Sequence, residues 1–248
     1  MSARDDLLAA FEGHDVERIR AILDAGFDVH ARIDDKAPIE CLVEMYLRSD
    51  RFPACLRAML EHGAVLPDPR LEAVLLDDPV QLEAAVRREP GLLRRKFSLN
   101  CAFTSLEGVT LLHLAAEYGH LAAADKLIEL GADVDARADV DACGMNGHTP
   151  LFHTVNSNGN RSAPLMKLLL RAGARPDVLL PGIVWGKGFD WETTCVDVTP
   201  ISYAQLGLLP QMQRTEIDCL ANVKTLLEAA GRPVPPFANV PNKYLRDS

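Results

Sequence analysis

The sequence predicts an all-α protein, a solenoid of about six stacked helix–turn–helix repeats with a long inserted loop near the C-terminus. Three observations carry this. Segments 107–136 and 146–177 share a pattern, Gly-x-Thr-x-Leu at the start, a leucine-rich second run and Gly-Ala at the close. Glycines at 26, 63, 91, 131, 173 and 231 close successive apolar stretches, at spacings of 37, 28, 40, 42 and 58. The composition of the 248 residues is aliphatic, 48% hydrophobic but only 6% aromatic, as suits thin helix pairs packed through Leu and Ala. Self-similarity at tens of residues marks units that bury their apolar faces only by stacking.

Each element follows from local signals. The first copy, residues 3–32, holds Leu7, Leu8, Ala9, Ala10 and Phe11, then Ile19, Ile22 and Leu23 before Gly26. It lacks an opening turn, as an N-terminal cap would. The second, 36–67, opens at Ala37-Pro38-Ile39 and closes through Leu56, Met59, Leu60 and Gly63. The third, 70–99, runs from Leu71 through Leu82, Ala85 and Val86 to Pro90-Gly91 and has lost its opening turn, so the course of 64–106 stays open. The fourth, 107–137, and the fifth, 146–177, are complete. Thr110 and Thr149 set a hydroxyl before an apolar run, an N-cap signal. Pro150 takes the first helical position, where a missing N–H costs nothing. Gly119 and Gly159 end the short first helix. The second helix carries a buried stripe, Leu121, Ala124, Leu127 and Ile128 in one unit and Leu165, Leu168 and Leu169 in the next, closed by Gly131 and Gly173. The sixth, 197–232, opens Thr199-Pro200-Ile201-Ser202 and closes through Leu220, Val223, Leu227 and Gly231. The insert 178–198 precedes it. The proline-rich tail 233–248 is read as a cap burying Val234, Phe237 and Val240, with a disordered tail as the alternative.

The unit from Gly108 resembles the ankyrin repeat through Thr110, Leu112, His113, Leu114, Ala115, Ala116, Gly119, His120, Gly131, Ala132 and Val134. Weaker copies extend the resemblance over 1–248 as a single domain. It implies that Thr110 and His113 bond to each other and brace the helix start. It also implies that a partner protein docks in a concave groove lined by the first helix of each unit and the loop tips. The groove positions are then Glu117, Tyr118, Asn156, Ser157 and Asn158, and on the loops Met145, Asn146 and His148, then Trp185, Phe189 and Trp191. His153 stands where the neighbouring unit has Leu114, and is expected to bond a polar partner such as Asn156 or to face the groove.

Charge narrows the partner. With 26 basic and 35 acidic side chains, net −9, the chain is a poor match for nucleic acid, which needs clustered cations. The basic run Arg87, Arg88, Arg94, Arg95 and Lys96 reads as a solvated helix face and turn. No stretch approaches the roughly 18 apolar residues of a membrane span, and the N-terminus lacks a signal-peptide pattern, so a cytoplasmic location is expected. Cys41, Cys55 and Cys219 sit in apolar contexts, as reduced core thiols do. The insert holds both tryptophans with Phe189 between them. Tryptophan concentrates at binding hot spots, although Trp185 and Trp191 could instead form a local core. Asp139, Asp141, Asp190 and Glu192 add acid to the loop tips.

Nothing assembles into chemistry. Cys143, His148 and His153, with Cys195 and Asp197, lack the close ligand pairs of a zinc site. A Cys195–His153 pair has no group to orient it, and Gly186-Lys187-Gly188 lacks the phosphate-loop frame. No catalytic residue, cofactor or metal is expected. The reading is a non-catalytic, monomeric protein-interaction scaffold. The alternatives are an enzyme or small-molecule binder with 178–198 as a lid, and a self-assembling repeat.

Overall fold

The computed structural model describes residues 2–101, 106–139, 147–185, 189–205 and 214–236. Helices come in consecutive pairs: α1 (Ala3–Glu12) with α2 (Val16–Asp24), α3 (Pro38–Glu44) with α4 (Phe52–Glu61), and α5 (Glu72–Leu75) with α6 (Pro79–Arg88). Then come α7 (Leu111–Tyr118) with α8 (Leu121–Glu129), a 3-10 turn Pro150–His153 with α9 (Ala163–Arg171), and α10 (Pro200–Gln205) with α11 (Glu216–Ala229). Much of the packing runs in two rows. In one, α1 meets α3, α5 meets α7, α7 meets the 150–153 turn, and that turn meets α10. In the other, α2 meets α4, α6 meets α8, α8 meets α9, and α9 meets α11. The seam is aliphatic: Leu111, Leu114, Ala115, Ala116, Ala123, Ala124, Leu127, Leu165 and Leu169 are buried. Each buried leucine contributes about 1.5–3 kcal/mol over leaving it in water.

The helix starts repeat one device. The Thr110 N–H donates to His113 Nδ1 at 3.2 Å, and the Thr110 hydroxyl lies 2.9 Å from the same nitrogen. In α10 the Thr199 N–H donates to Ser202 Oγ at 2.9 Å, and in α3 the Ala37 N–H donates to Glu40 Oε2 at 2.7 Å. The residue three positions on thus turns back to a donor the helix leaves unpaired. His113 does more, since its Nε2 donates to the His148 carbonyl at 3.1 Å and ties α7 to the next unit.

Gly119 ends α7 at φ 70°, and a Cβ there would meet Arg161 Nη1 at 2.9 Å. Arg161 uses that nitrogen to donate to the Tyr118 carbonyl. Gly119→Ala therefore adds left-handed strain to a displaced hydrogen bond. It is expected to cost about 1–2 kcal/mol, read as a lower urea midpoint at unchanged slope.

Three expectations are corrected. The protein is not all-α. Residues Phe97–Leu99 (β1) pair antiparallel with Leu106–Val109 (β2), and Leu180–Trp185 (β3) with Thr193–Val198 (β4). Both hairpins lead directly into the next unit, at α7 and α10. The second fills the insert expected as a loop. Its Ile, Val and Thr residues favour a pleated surface, and it buries Leu180, Ile183 and Val198.

The first helix of the fifth unit is a single 3-10 turn, because Thr154, Val155, Asn156 and Ser157 are poor helix formers. Thr154 Oγ1 also donates to the Leu151 carbonyl at 2.8 Å, competing with a helical ladder. The Val155 carbonyl left over accepts from Arg214 Nη1 at 2.6 Å and Asn222 Nδ2 at 3.1 Å, which pins the sixth pair to the fifth. Gly91, finally, ends no helix: α6 stops at Arg88, ahead of Pro90, and Gly91 lies within a 3-10 turn, Pro90–Leu93. Of the tail expected as a cap, Val234 is half-buried, while Phe237 and Val240 lie outside the described residues.

Candidate interaction surface

The loop between α3 and α4 reaches across the short third pair. Its Arg48 donates through Nε to Glu117 Oε1 of α7 at 3.2 Å, with Nη2 3.1 Å from the same oxygen. The guanidinium lies 4.2 Å from the ring centre of Tyr118, and its remaining N–H groups reach Cys101 Sγ and the carbonyls of Met45 and Leu47. On the other side of Glu117, His153 Nδ1 donates to Oε2 at 2.9 Å. Burial opposes charge on Glu117, but Arg48 and His153 more than offset it and push the carboxyl down to about 2. Burial also pushes the Cys101 thiol up to about 12, which keeps it protonated.

The same loop makes two further ties: Ser49 Oγ lies 2.7 Å from His14 Nδ1, and Asp50 accepts from Arg161. One loop therefore joins the first, second, fourth and fifth units. Units in a solenoid ordinarily touch only their neighbours.

The expected contact residues divide into a buried set and an exposed one. Tyr118 is 1% exposed, with its hydroxyl donating to the Val43 carbonyl at 2.7 Å. His148 and His153 are buried ring against ring at 4.5 Å, beside His113. Asn156 is buried on Tyr203. These four are corrected as direct contacts, because they are buried within the stack. The polar partner of His153 Nδ1 is the Glu117 carboxylate, where Asn156 was expected. Glu117 is 25% exposed and already engaged. Ser157 and Asn158 are half-buried, and Ser157 Oγ accepts from the Ser162 N–H at 2.9 Å. Met145 and Asn146 lie outside the described residues, and Trp185 is described by its backbone, paired with Thr193.

The exposed set is at the β3–β4 tip. The Glu192 N–H donates to the Phe189 carbonyl at 2.9 Å, closing a turn that stacks the Phe189 and Trp191 rings 5.2 Å apart at 21°. Phe189 is 44% and Trp191 45% exposed. Leu179 and Val196 are exposed nearer the base of the hairpin, so four of the eight large apolar side chains exposed among the described residues belong to residues 178–198.

The remaining candidates stay apart. Cys195 sits in β4 opposite Ile183, its thiol pushed up by burial, and Asp197 is exposed. Among the described residues no group of three or more His, Cys, Asp and Glu is placed to hold a metal, and no helix is long and apolar enough to cross a membrane. The basic run is divided: Arg87 pairs with Glu83, Arg95 with Glu89, and Lys96 donates to the Gly108 and Arg137 carbonyls. Sequence reasoning missed Arg48, Cys101, Arg214 and Asn222. None lies in a recognisable motif, and each meets its partners only through the stacking of distant segments.

Known proteins agree with the repeat geometry. Residues 84–179 match the family described as ankyrin repeats (3 copies). Two ADP-ribosylation factor GTPase-activating proteins of Arabidopsis thaliana, AGD2 and AGD4, are 35% and 32% identical over 39% and 41% of this chain. The matches span only 11% and 12% of those relatives' lengths. YahD of Escherichia coli, whose name describes an ankyrin repeat protein, is 28% identical over 69% of this chain and 81% of its own length. With the Thr110–His113 brace, the left-handed glycines and the paired rows of helices, residues 84–179 of the chain are ankyrin repeats.

Proposed function

We propose that the protein is a non-catalytic interaction module of about six ankyrin-type units. It works as a cytoplasmic monomer and holds a partner protein against the β3–β4 tip and the adjoining first elements of the fifth and sixth units. One observation carries this reading: the stacked Phe189–Trp191 pair stands exposed in a chain that has few rings and buries Phe11, Phe52, Tyr118 and Phe152 completely. Exposed apolar clusters of this kind mark interaction surfaces, and ankyrin repeats imply protein–protein interaction. Cys41, Cys55, Cys101, Cys195 and Cys219 are free thiols, as a reducing compartment favours. The GTPase-activating function in two relatives' names is not carried over, because the shared segment is about a tenth of those proteins. The lid reading has no support in the placement of His153 on Glu117 and Cys195 on the hairpin.

The test uses a photo-crosslinking residue at Asp190, next to both rings, to capture the partner from the native cell. Calorimetry then compares the intact protein with the Phe189→Ala, Trp191→Ala double variant. Loss of a hot-spot pair is expected to weaken binding about thirtyfold, or ~2 kcal/mol. Unchanged affinity removes the hairpin from the interface. Sedimentation of the free chain as a dimer would overturn the monomer.

A further inference from the structure

The outer edge of β4 is open. β3 and β4 form a two-stranded sheet, and among the described residues the backbone of β4 pairs as a strand only with β3. In an antiparallel ribbon alternate residues turn both backbone groups away from the partner strand. Thr193–Val196 therefore present unpaired N–H and C=O groups along one edge, until Asp197, at φ 50°, ends the extended run. Proteins ordinarily blunt such an edge with Lys or Pro. Thr193-Thr194-Cys195-Val196 has neither, and its β-branched side chains suit a pleated surface. Thr193, Thr194 and Val196 are exposed, Val196 at 69%. The ribbon is anchored through the buried Leu180, Ile183 and Val198, so the edge is held in place. Two strands alone are marginal, and a third adds stability.

Charge selects what fits. Asp190 at the turn and Asp197 at the far end of the strand are exposed, and neither is ion-paired among the described residues. A second copy of the chain would bring another net −9 to the same edge. We infer that β4 receives an extended segment of the partner protein as a third strand, bonded backbone to backbone along Thr193–Val196, with basic side chains near its ends beside Asp190 and Asp197. Main-chain bonds supply affinity, and the end charges supply register. The inference rests on the hairpin being the docking surface and specifies how the partner is held there.

The probe is the peptide Lys-Thr-Val-Thr-Val-Thr-Lys, titrated into the intact chain and followed by amide NMR and hydrogen exchange. At about nine-tenths saturation, exchange is expected to slow about tenfold at alternate residues between Thr193 and Val196, those not already held by β3. The same peptide N-methylated at each Thr and Val, which removes donors and keeps side chains, is expected not to bind. Glu in place of both Lys residues is expected to weaken binding about tenfold, and the Asp190→Asn, Asp197→Asn double variant about fivefold. Asn accepts the left-handed position, and an unchanged urea midpoint verifies the fold. No binding of the Lys-ended peptide, equal binding of its N-methylated form, or protection elsewhere overturns strand addition. Equal binding of the Glu-ended peptide overturns the charge selection. Edge amides whose protection in the free chain rises with its concentration place a second copy there and overturn the partner segment. A photo-captured partner that leaves the β4 amides unprotected overturns strand addition and leaves the docking surface standing. A captured partner indifferent to the Phe189→Ala, Trp191→Ala variant removes the docking surface itself.

Discussion

Between pH 6.5 and pH 4.5 the folded chain is expected to lose most of its stability. His14, His113 and His120 are 0%, 0% and 3% exposed. Burial is the main reason their basicity falls, to about 4, 3 and 4 against an ordinary 6.5. Nearby cations add to it: Arg48, Arg161 and Arg51 around His14, Arg161 and Arg48 around His120, and Lys96 with His153 around His113. The Val74 carbonyl and Asp50 by His120, and the His148 carbonyl by His113, oppose the shift without cancelling it. His113 is further constrained because its Nδ1 accepts from the Thr110 N–H, so a proton there would face a donor.

The sign follows directly. These bases are neutral when folded and charged when unfolded below pH 6.5, so the unfolded chain binds more protons and acid favours it. Their contribution is complete above 6.5 and lost as pH falls toward their folded values. Three such groups give a slope of about 4 kcal/mol per pH unit. Against a total of about 5–15 kcal/mol, unfolding near pH 5 is expected. His62, half-buried and paired with the exposed Asp24, has a raised value and acts weakly the other way. Urea midpoints at half-unit steps from pH 7.5 to 4.5 check this. His120→Gln is expected to reduce the slope by about one third. Stability that stays flat down to pH 5 would sink the account.

The buried histidines also show what was legible in the sequence. His113 and its partner Thr110 could be read because the brace is local, three residues apart, and repeats as Thr199 with Ser202. The helix ends at Gly26, Gly63, Gly131 and Gly173 were legible for the same reason: each has φ between 90° and 95°, which glycine accepts freely. The β3–β4 hairpin was hidden by the repeat itself. Measured against helical units, residues 178–198 are only an interruption, and the β-branched run Thr193–Val198 was passed over. The missing helix at 150–158 follows from Thr154, Val155 and the Asn-Ser-Asn run, whose weak propensity the Thr149-Pro150 start signal outweighed. The groove positions were transferred from one unit to another by register, which fixes where a Cα lies. Whether Tyr118 is covered depends on Arg48, and that loop has no counterpart in the repeat pattern.

Arg48→Ala is therefore expected to be the most damaging single substitution outside the aliphatic seam. Arg48 and Glu117 have side chains 12% and 25% exposed, and their ion pair joins segments 69 residues apart in sequence. Removing the guanidinium leaves the Glu117 carboxylate with His153 alone, and strips Tyr118 and Cys101 of the charge packed against them. A broken, largely buried pair costs about 3 kcal/mol or more. The lowered Glu117 pKa gives a consistent figure: a fall from 4.5 to about 2 corresponds to about 3 kcal/mol. That stability is present above pH 4.5 and lost as pH falls toward 2, a window that overlaps only the lower end of the one in which the histidines act. The effect should also be non-local. Ser49 and Asp50 on the same loop hold His14 and Arg161, so loosening the loop weakens the first and fifth units together. Hydrogen exchange is expected to speed up in α1, α7 and α9 at once in Arg48→Ala. Arg48→Met with Glu117→Leu, which removes both charges and keeps bulk, should recover most of the loss. If Arg48→Ala shifts the urea midpoint by less than about 1 kcal/mol, or if exchange quickens only in the α3–α4 loop, the loop is a surface ornament and the units are coupled through neighbours alone.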